Sequence, residues 1–561
     1  MRLDMDHFNL LKEKWIKVIA CSGKVEEVSL AQAIVNAHAY RDLAGETPSQ
    51  DAALFRMILG LCVTVFYRYD PCGERSDIAS KEDALQRWKN VWDMKSFPEN
   101  MFSNYFKTWS NRFNLLDDIY PFYQVPFIKS GTGKDKVIGA YKLNAEISES
   151  DNKHRSFSVR TGEAKGVLTY PEAARWICFH MVFDDGSLRE MSAPQGYGRP
   201  KGWPGDGEVI TADGKNLFER IMLNLVLLRD GAVLWPSQTP SWEQNDRSGE
   251  PKLLKVPPND LASILTLQTR RMKLVHEGGR ITGFIMRGGE VFKGTDAFAE
   301  QYVLWEHEKG TDHFIPRKNL DGKALWREFG SIFPDNRDRN GHYSGVIEWN
   351  ALLLNSDDED EDALIEDGME ILYRTVSVKY KEGSAIKDIF SDSIRLDSSW
   401  FHTKNLKWIV MIRNEVGKCE EAAKCIGDFA GNLQRAAGNT GQKEKGVKAA
   451  FNEAKIKYYS VVDLPFRKWI DSIDITKDDR DQVQKKWEWT SRALAIKLMR
   501  EFLDQTGNLA FSGHTVKKKK EGSQKEEDRL YTSPICVNIF YNSINNVYPE
   551  VKDGGNTEHQ R

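Results

Sequence analysis

The chain has 561 residues, which is too long for one hydrophobic core and predicts two or more domains. Hydrophobic residues make up 40% and charged residues 29%, which excludes a largely disordered chain. The net charge of −3 gives no overall signal for nucleic acid.

The cysteines and the apolar runs indicate where the protein works. Seven cysteines are scattered without a CxxC pair, which argues against a disulfide framework and against structural zinc. No continuous apolar run approaches the roughly 18 residues needed to span a bilayer. The start, MRLDMDHF, has no apolar secretory segment. We therefore expect a cytoplasmic protein with no membrane partner.

The first 395 residues mix helix and strand signals. Apolar spacing at Leu54, Met57, Ile58 and Leu61 predicts a helix over 49–66. Further predicted elements, in chain order, are helices at 81–92 and 98–113, a glycine- and proline-rich loop at 192–214, a helix at 215–228, and strands at 265–275 and 280–292 joined by a Gly278-Gly279 turn.

From Trp400 onward the pattern changes to long helices. One apolar stripe contains Val416, Cys419, Ala423, Ile426, Ala430 and Leu433. Later helices are predicted at 447–473, kinked or broken at Pro465, at 478–504, and from Ser533-Pro534. The predicted fold class is α+β, with a mixed α/β domain over 1–395 and a C-terminal four-helix bundle over 396–561. A mobile basic loop is expected near 512–530.

Charge is divided unevenly between these two regions. Residues 400–561 hold 28 Lys and Arg against 22 Asp and Glu, or about +6, which leaves −9 for the rest. A basic bundle is typical of a surface that meets a polyanion, although solvated faces can produce the same imbalance.

The sequence contains no phosphate-binding loop motif, no HExxH and no GxSxG. His307 and His313 flank Glu308 and Asp312, but their spacing matches no common metal-ligand pattern. The acidic run at 357–362 reads as a solvated loop. We therefore predict no catalytic residue, no metal and no cofactor, with a stand-alone metal-dependent hydrolase at His307 and His313 as the alternative.

Two segments have the composition of nucleic-acid contacts. The loop at 194–207 combines glycines, which permit close backbone approach, with Tyr197, Arg199 and Lys201. The predicted hairpin holds a set of cations: Arg270, Arg271, Lys273, Arg280 and Arg287. An ordinary surface loop and solvated strand edges are the alternatives for these two segments.

Several segments, in order, resemble one known family. They are FNLLKEKWIKV (8–18), LAGETPSQDAALFRMILGL (43–61), WSNRFNLLDDIYPFYQVP (109–126), APQGYGR (193–199), GKNLFERIMLNLV (214–226), LTLQTRRMKL (265–274) and RITGF (280–284). Together they resemble the CasA family, the large subunit of the type I-E CRISPR Cascade complex.

This resemblance implies a subunit without catalytic activity that recognises the protospacer-adjacent motif (PAM) through the minor groove and helps open the duplex. The implied DNA contacts are Gly196, Tyr197, Gly198, Arg199 and Arg287. The implied wedge is Gly383, Ser384 and Ala385, where the family often has glutamine at the position of Ser384. The implied guide-side loop contains Phe157, Arg160 and Lys165. Zinc ligands of some relatives correspond to Thr169 and Glu172, so no zinc is expected.

The implied partners follow from the same resemblance. They are the other Cascade protein subunits with CRISPR RNA, double-stranded target DNA with its displaced single strand, and a helicase-nuclease effector. A scaffold that binds only proteins remains the other alternative.

Overall fold

A computed structural model describes residues 7–128, 137–145, 160–184, 201–205, 207–319, 322–333, 342–354, 363–365, 368–380, 386–402, 405–519 and 526–549. The chain forms two compact units, Met1–Ser398 and Ser399–Arg561.

The first unit mixes short antiparallel sheets with helices. Its described helices are α1 (Leu30–Val35), α2 (Pro48–Arg68), α3 (Lys81–Met94), α4 (Glu99–Trp109), α5 (Tyr170–Phe183), α6 (Leu217–Leu223), α7 (Leu261–Leu265), α8 (Phe329–Ile332) and α9 (Gly345–Leu354). Its described strands are β1 (Ile16–Ala20), β2 (Val25–Val28), β3 (Tyr40–Leu43), β4 (Ile138–Gly139), β5 (Val209–Asp213), β6 (Leu228–Arg229), β7 (Val233–Leu234), β8 (Lys252–Leu253), β9 (Arg270–Glu277), β10 (Arg280–Gly288), β11 (Glu290–Val291), β12 (Trp305–His307), β13 (Phe314–Pro316), β14 (Glu370–Tyr380) and β15 (Ile386–Asp397). The three-stranded sheets have the orders β2-β1-β3, β4-β10-β9 and β15-β14-β5.

Helix α2 is the central core helix of this unit. Thr47 caps its first turn by accepting a hydrogen bond from the N–H of Gln50, and Pro48 fits that turn. The helix is long and apolar enough to cross a membrane, but 94% of its apolar window is buried inside the protein. The prediction from apolar spacing is therefore confirmed, and α2 is apolar because it packs on every side.

Two predictions in the first unit are wrong in part. The predicted loop at 192–214 contains β5, which is buried along its length and pairs with β14. The predicted helix at 215–228 ends at Leu223, because the buried Asn224 side chain hydrogen-bonds both the N–H and the carbonyl oxygen of Ala212. The Gly278-Gly279 turn is confirmed, with φ values of +58° and +77° between paired β9 and β10.

The second unit consists of long helices and one small hairpin. Its described elements are α10 (Leu406–Ala436), α11 (Gly441–Asp471), α12 (Arg480–Asp504), α13 (Asn508–Ser512), β16 (His514–Lys519), β17 (Glu526–Tyr531) and α14 (Ser533–Val547). The predicted stripe on α10 is buried at all of its positions. Helix α11 continues through Pro465, so of the two predicted outcomes, a kink or a break, the break does not occur. The α+β class with a helical C-terminal region is confirmed.

The basic segment near 512–530 is not simply a loop, which corrects that expectation. β16 and β17 pair antiparallel, and their register sets Lys517 opposite Asp528, Lys518 opposite Glu527 and Lys519 opposite Glu526. Because opposite charges at facing positions favour a strand pair, the facing residues Lys517 and Asp528 support this pairing.

Candidate nucleic-acid interface

The residues that flank segment 185–200 form a hydrogen-bonded neck, which we define as residues 182–184 and 201–205. The N–H of Gly202 donates to the carbonyl oxygen of Asp184 over 3.2 Å, and the N–H of Gly205 donates to that of Val182 over 3.2 Å. A Cβ on Gly202 would lie 2.3 Å from the Val182 carbonyl oxygen, so this approach requires glycine. The predicted glycine loop, Gly196 to Arg199, lies outside the described residues, between the two sides of this neck.

A buried ion pair fixes the neck to the β9–β10 hairpin. The guanidinium of Arg270 contacts the carboxylate of Asp184, and each side chain is 1% exposed. His180 places Nδ1 2.5 Å from Asp184 Oδ1 and Nε2 2.8 Å from the Leu143 carbonyl oxygen. The hydroxyl of Thr269 donates to the Met181 carbonyl oxygen over 2.6 Å. Since these buried polar groups have partners, the end of α5 is held firmly in place.

The returning side of the neck is anchored through Trp203. Its indole N–H donates to Glu300 Oε2 over 3.0 Å. Glu300 is held in turn by two hydrogen bonds from the Arg56 guanidinium, of 2.8 and 2.6 Å, in a pair that is almost completely buried. The neck is thus connected to the core helix α2 by a bidentate, charge-assisted contact.

An exposed lysine that the sequence reading missed lies beside this anchor. Lys293 is exposed, and its chain neighbours Phe292 and Gly294 both lie against Trp203. The ring centroids of Trp203 and Phe292 are 4.6 Å apart. Lys293 is the sole Lys or Arg between Arg287 and Lys309, and no local sequence pattern marks it.

Tyr380 joins the neck to the place where the predicted wedge begins. Its hydroxyl lies 2.9 Å from the carbonyl oxygen of Phe183 and 3.2 Å from that of Gly205, and Lys201 Nζ lies 4.4 Å from its ring centroid. Tyr380 ends β14, and its partner in the register is Ile386, the first residue of β15. The predicted wedge residues Gly383, Ser384 and Ala385 lie outside the described residues, between those two paired positions.

Three of the five cations on the predicted basic hairpin are not at the surface. Arg270, Arg271 and Arg287 are buried, while Lys273 and Arg280 are exposed. Carboxylates explain the burial, because Arg271 pairs with Asp246 at 2.7 Å and Arg287 pairs with Glu250 at 2.8 Å. Arg287 lies directly opposite Arg271 in the register. Adjacent strand residues point to opposite faces, so Arg287 faces away from the Arg270–Asp184 pair.

The described part of the guide-side segment is paired within the protein. Arg160 donates to Glu172 Oε1 over 2.5 Å, and Lys165 is half-buried, while Phe157 lies outside the described residues. Thr169 and Glu172, where the resemblance implied that no zinc is held, form a capping box at the start of α5. These two side chains therefore have a structural role in this chain.

The histidines considered for a hydrolase have local partners. His313 Nδ1 lies 2.6 Å from Asp296 Oδ2, and the His307 ring packs edge-on against Phe314. Across the described ranges, no group of three His, Cys, Asp or Glu side chains is placed to hold a metal ion. The acidic run at 357–362 lies outside these ranges.

Taken together, the chain combines an α+β unit with a helical unit, and in the first unit the described residues that flank segments 185–200 and 381–385 are anchored on one buried polar framework. The model of the family described as CRISPR-associated protein Cse1 matches residues 9–498. The chain belongs to this Cse1 (CasA) family, and the resemblance seen in the sequence is confirmed.

Individual relatives agree with this membership. CRISPR-associated protein CasA/Cse1 of Thermus thermophilus is 24% identical over 512 residues, which cover 87% of this chain and 93% of that protein. The crystal structure of Thermobifida fusca Cse1 covers 98% of this chain and 100% of its own, with a TM-score of 0.79 at 20% identity. A chain of a structure described as a CRISPR RNA-guided surveillance complex has a TM-score of 0.68 at 13% identity, covering 97% of this chain and 99% of its own. At these identities the solved structures share the fold.

Proposed function

We propose that this chain is the subunit of a type I-E Cascade complex that recognises the PAM in double-stranded DNA and begins to open the duplex. It works in the cytoplasm beside the other Cascade protein subunits and CRISPR RNA. The contact of Tyr380 with both sides of the neck supports the proposal, because it joins the described residues that flank segment 185–200 to the residue that precedes segment 381–385.

The chemistry of the two segments suits this role. A backbone rich in glycine can enter the narrow minor groove, whose degenerate pattern of donors and acceptors permits several related PAM sequences. Gly383, Ser384 and Ala385 would enter the adjacent base step, where unstacking costs a few kcal/mol. The hybrid of guide RNA and target strand is about as stable as the DNA duplex that it replaces, so the free energy of strand exchange is close to zero. Protein contacts worth a few kcal/mol can therefore decide whether the duplex opens.

Two residues are candidates for the positively charged side chain that contacts DNA at this interface. Arg287 is the residue that the resemblance implies, but its guanidinium is paired with Glu250 on the face of the hairpin away from the neck. Lys293 is exposed beside Trp203 at the neck itself. We therefore propose Lys293 as the side chain that meets DNA beside the glycine loop, with Arg287 as the alternative.

A PAM-library binding experiment on the assembled complex tests the proposal and separates the two cations. Lys293→Ala is expected to weaken binding to preferred PAM duplexes about tenfold while guide-complex assembly stays intact. Arg287→Ala is the comparison, and Lys24→Ala, an exposed lysine in the β1–β2 turn, is the matched control. If both variants retain the PAM preference and affinity of the unaltered complex, neither cation reads the PAM. A complex that binds all duplexes equally with and without this subunit contradicts the whole proposal.

The displaced strand would be held by the helical unit. The exposed face of α12 carries Lys486, Trp489, Lys497 and Arg500, and Trp489 is 49% exposed. Glu488, the acidic residue within that stretch, is buried. Cations that follow a phosphate backbone around an aromatic ring that stacks on bases are typical of single-strand binding. Trp489→Ala should weaken binding of a single-stranded oligonucleotide, whereas Ile456→Ala, at an even more exposed apolar position on α11, should not.

We assign no catalytic step to this chain and propose that cleavage is performed by a recruited helicase-nuclease. Arg160 and Lys165 are proposed to lie on the side facing the guide RNA. Nuclease assays on the purified chain check the first point, because turnover that His313→Ala abolishes would favour the hydrolase alternative. Tight, salt-insensitive binding to partner proteins without any DNA binding would favour the scaffold alternative.

A further inference from the structure

A tyrosine held between two arginines forms a second cationic site in the first unit. The guanidinium carbon of Arg112 lies 3.4 Å from the ring centroid of Tyr120, and that of Arg247 lies 3.9 Å from the same centroid. Two guanidinium groups this close to one centroid must occupy opposite faces of the ring. Arg247 also donates to the Tyr120 hydroxyl, and Arg112 donates to Asn245 Oδ1 over 2.7 Å.

Neither arginine has a carboxylate partner among the described residues. No ion pair with an N···O distance up to 4.0 Å between residues that the structure describes includes Arg112 or Arg247. Nearby acids are engaged elsewhere. Asp117 accepts from the N–H groups of Ile119 and Tyr120, and Asp246 pairs with Arg271. Asp118 is exposed on the same turn.

The phenol responds to this uncompensated positive charge. The hydrogen bond from Arg247, together with the charges of Arg247 and Arg112, lowers the pKa of Tyr120. Two like charges held on one ring repel each other, and an anion placed against them would relieve that repulsion. Guanidinium groups retain several N–H donors in a planar arrangement that matches phosphate oxygens.

The site is connected along the chain to the candidate interface. Arg247 lies between Asp246, which pairs with Arg271, and Glu250, which pairs with Arg287. Both of those arginines lie on one face of the β9–β10 hairpin, opposite the face that holds the neck. The site is therefore separate from the neck, and it would meet a different stretch of the same duplex.

We propose that Arg112, Tyr120 and Arg247 form a binding site for the phosphodiester backbone of double-stranded DNA. This inference rests on the proposed function, since it extends the same DNA contact. The site reads no sequence, because phosphate contacts position a duplex without specifying its bases. It contributes affinity that depends on salt, whereas the neck and its loops supply the PAM preference.

The test measures how binding of a labelled 20-base-pair duplex without a preferred motif depends on salt, using the full chain. Log affinity falls linearly with log salt, with a slope of about −0.9 for each phosphate neutralised. Arg112→Ala and Arg247→Ala should each make the slope shallower by about 0.9, and the double variant by about twice that. Tyr120→Leu should weaken binding while both charges remain, because it removes the ring that orders them.

Arg75 provides the matched control. It is an exposed arginine 5.9 Å from the ring of Tyr69, but it forms a 2.8 Å ion pair with Asp77. Arg75→Ala should leave the slope unchanged. Thermal unfolding of each variant verifies that the chain remains folded. An unchanged slope in the folded double variant, an equal change in Arg75→Ala, or no duplex binding by the unaltered chain at 50 mM salt would overturn the proposal. If the chain shows no PAM preference in the PAM-library experiment but keeps this salt slope, the proposed function of the neck fails while the phosphate site stands.

Discussion

Tyr380 and Phe183 are 197 positions apart in the chain, yet the hydroxyl of Tyr380 lies 2.9 Å from the carbonyl oxygen of Phe183. Phe183 is the last residue of α5, and Tyr380 is the last residue of β14. One side chain therefore links the chain just before segment 185–200 to the chain just before segment 381–385. This link joins described residues next to the two segments that we propose act on DNA.

Replacing Tyr380 with phenylalanine should impair duplex opening more than stability. The ring remains, but the carbonyl oxygens of Phe183 and Gly205 lose a donor, at a cost of about 1 kcal/mol. We expect slower opening of target DNA in the assembled complex, measured with a fluorescent base analogue next to the PAM. The control is Tyr67→Phe, which removes a hydroxyl 2.6 Å from the Leu227 carbonyl oxygen. Equal rates of DNA opening for Tyr380→Phe and Tyr67→Phe would show that the Tyr380 hydrogen bonds contribute to stability and not to duplex opening.

Replacing Gly202 with alanine should open the neck. The new Cβ would lie 2.3 Å from the carbonyl oxygen of Val182 and 2.4 Å from its carbonyl carbon, both of which are backbone atoms. Overpacking of this kind costs about 1–3 kcal/mol. Exchange of the backbone amide hydrogens with solvent should become faster at position 202 and at Gly205, whose N–H groups donate across the neck. Gly417, exposed on α10 with no atom within 4 Å of a built Cβ, is the control, and alanine there should stabilise the helix by up to about 1 kcal/mol. Unchanged exchange at the neck would contradict this argument.

Breaking the pair of Arg56 and Glu300 should destabilise the first unit strongly. Arg56→Met leaves Glu300 buried without its counter-ion, which costs about 3–5 kcal/mol. Adding Glu300→Gln to that variant should recover part of the loss, because the charge is gone and the amide oxygen can still accept from Trp203. Urea unfolding measures both variants. The exposed pair Lys89–Asp93 is the comparison, and its removal should change stability by less than about 1 kcal/mol.

Local sequence patterns predicted the elements whose sequence signal lies within the element itself. The spacing of Leu54, Met57, Ile58 and Leu61 identified α2, and two glycines identified the β9–β10 turn. The misassigned elements depend on distant partners. Strand β5 is defined by β14, far along the chain, and α6 is cut short by the contact of Asn224 with Ala212.

The contrast between signals within one element and contacts between distant residues also explains which parts of the candidate site were predicted. The sequence predicted the segments around the neck, but it could not show that Arg270, Arg271 and Arg287 are buried and paired with carboxylates. Asp184 is 86 positions from Arg270, and no local pattern connects them. Lys293 escaped notice because its placement depends on Trp203, which packs against Phe292 and Gly294 from another part of the chain. Burial and pairing over such separations are consequences of the fold.

Acid should weaken the first unit through Glu46. Burial raises the pKa of this carboxyl, but hydrogen bonds and charge from Arg175, together with Lys17, outweigh burial and lower it to about 2. Because the folded-state pKa lies below the ordinary value of 4.5, this contribution to stability is present above about pH 4.5 and is lost as pH falls toward 2. The full effect is about 3 kcal/mol, at 1.36 kcal/mol for each pKa unit.

Glu46→Gln isolates that contribution. The free energy of unfolding, measured by urea at several pH values, should be lower than that of the unaltered chain at pH 6 and should approach it as pH falls to about 2. Arg175 also contacts Glu27 and the carbonyl oxygen of Trp15, so it remains partly paired in this variant. Glu27→Gln is the control, because Glu27 is far more exposed than Glu46 and should contribute much less. Parallel pH profiles for the unaltered chain and Glu46→Gln would show that the ion pair does not govern acid sensitivity.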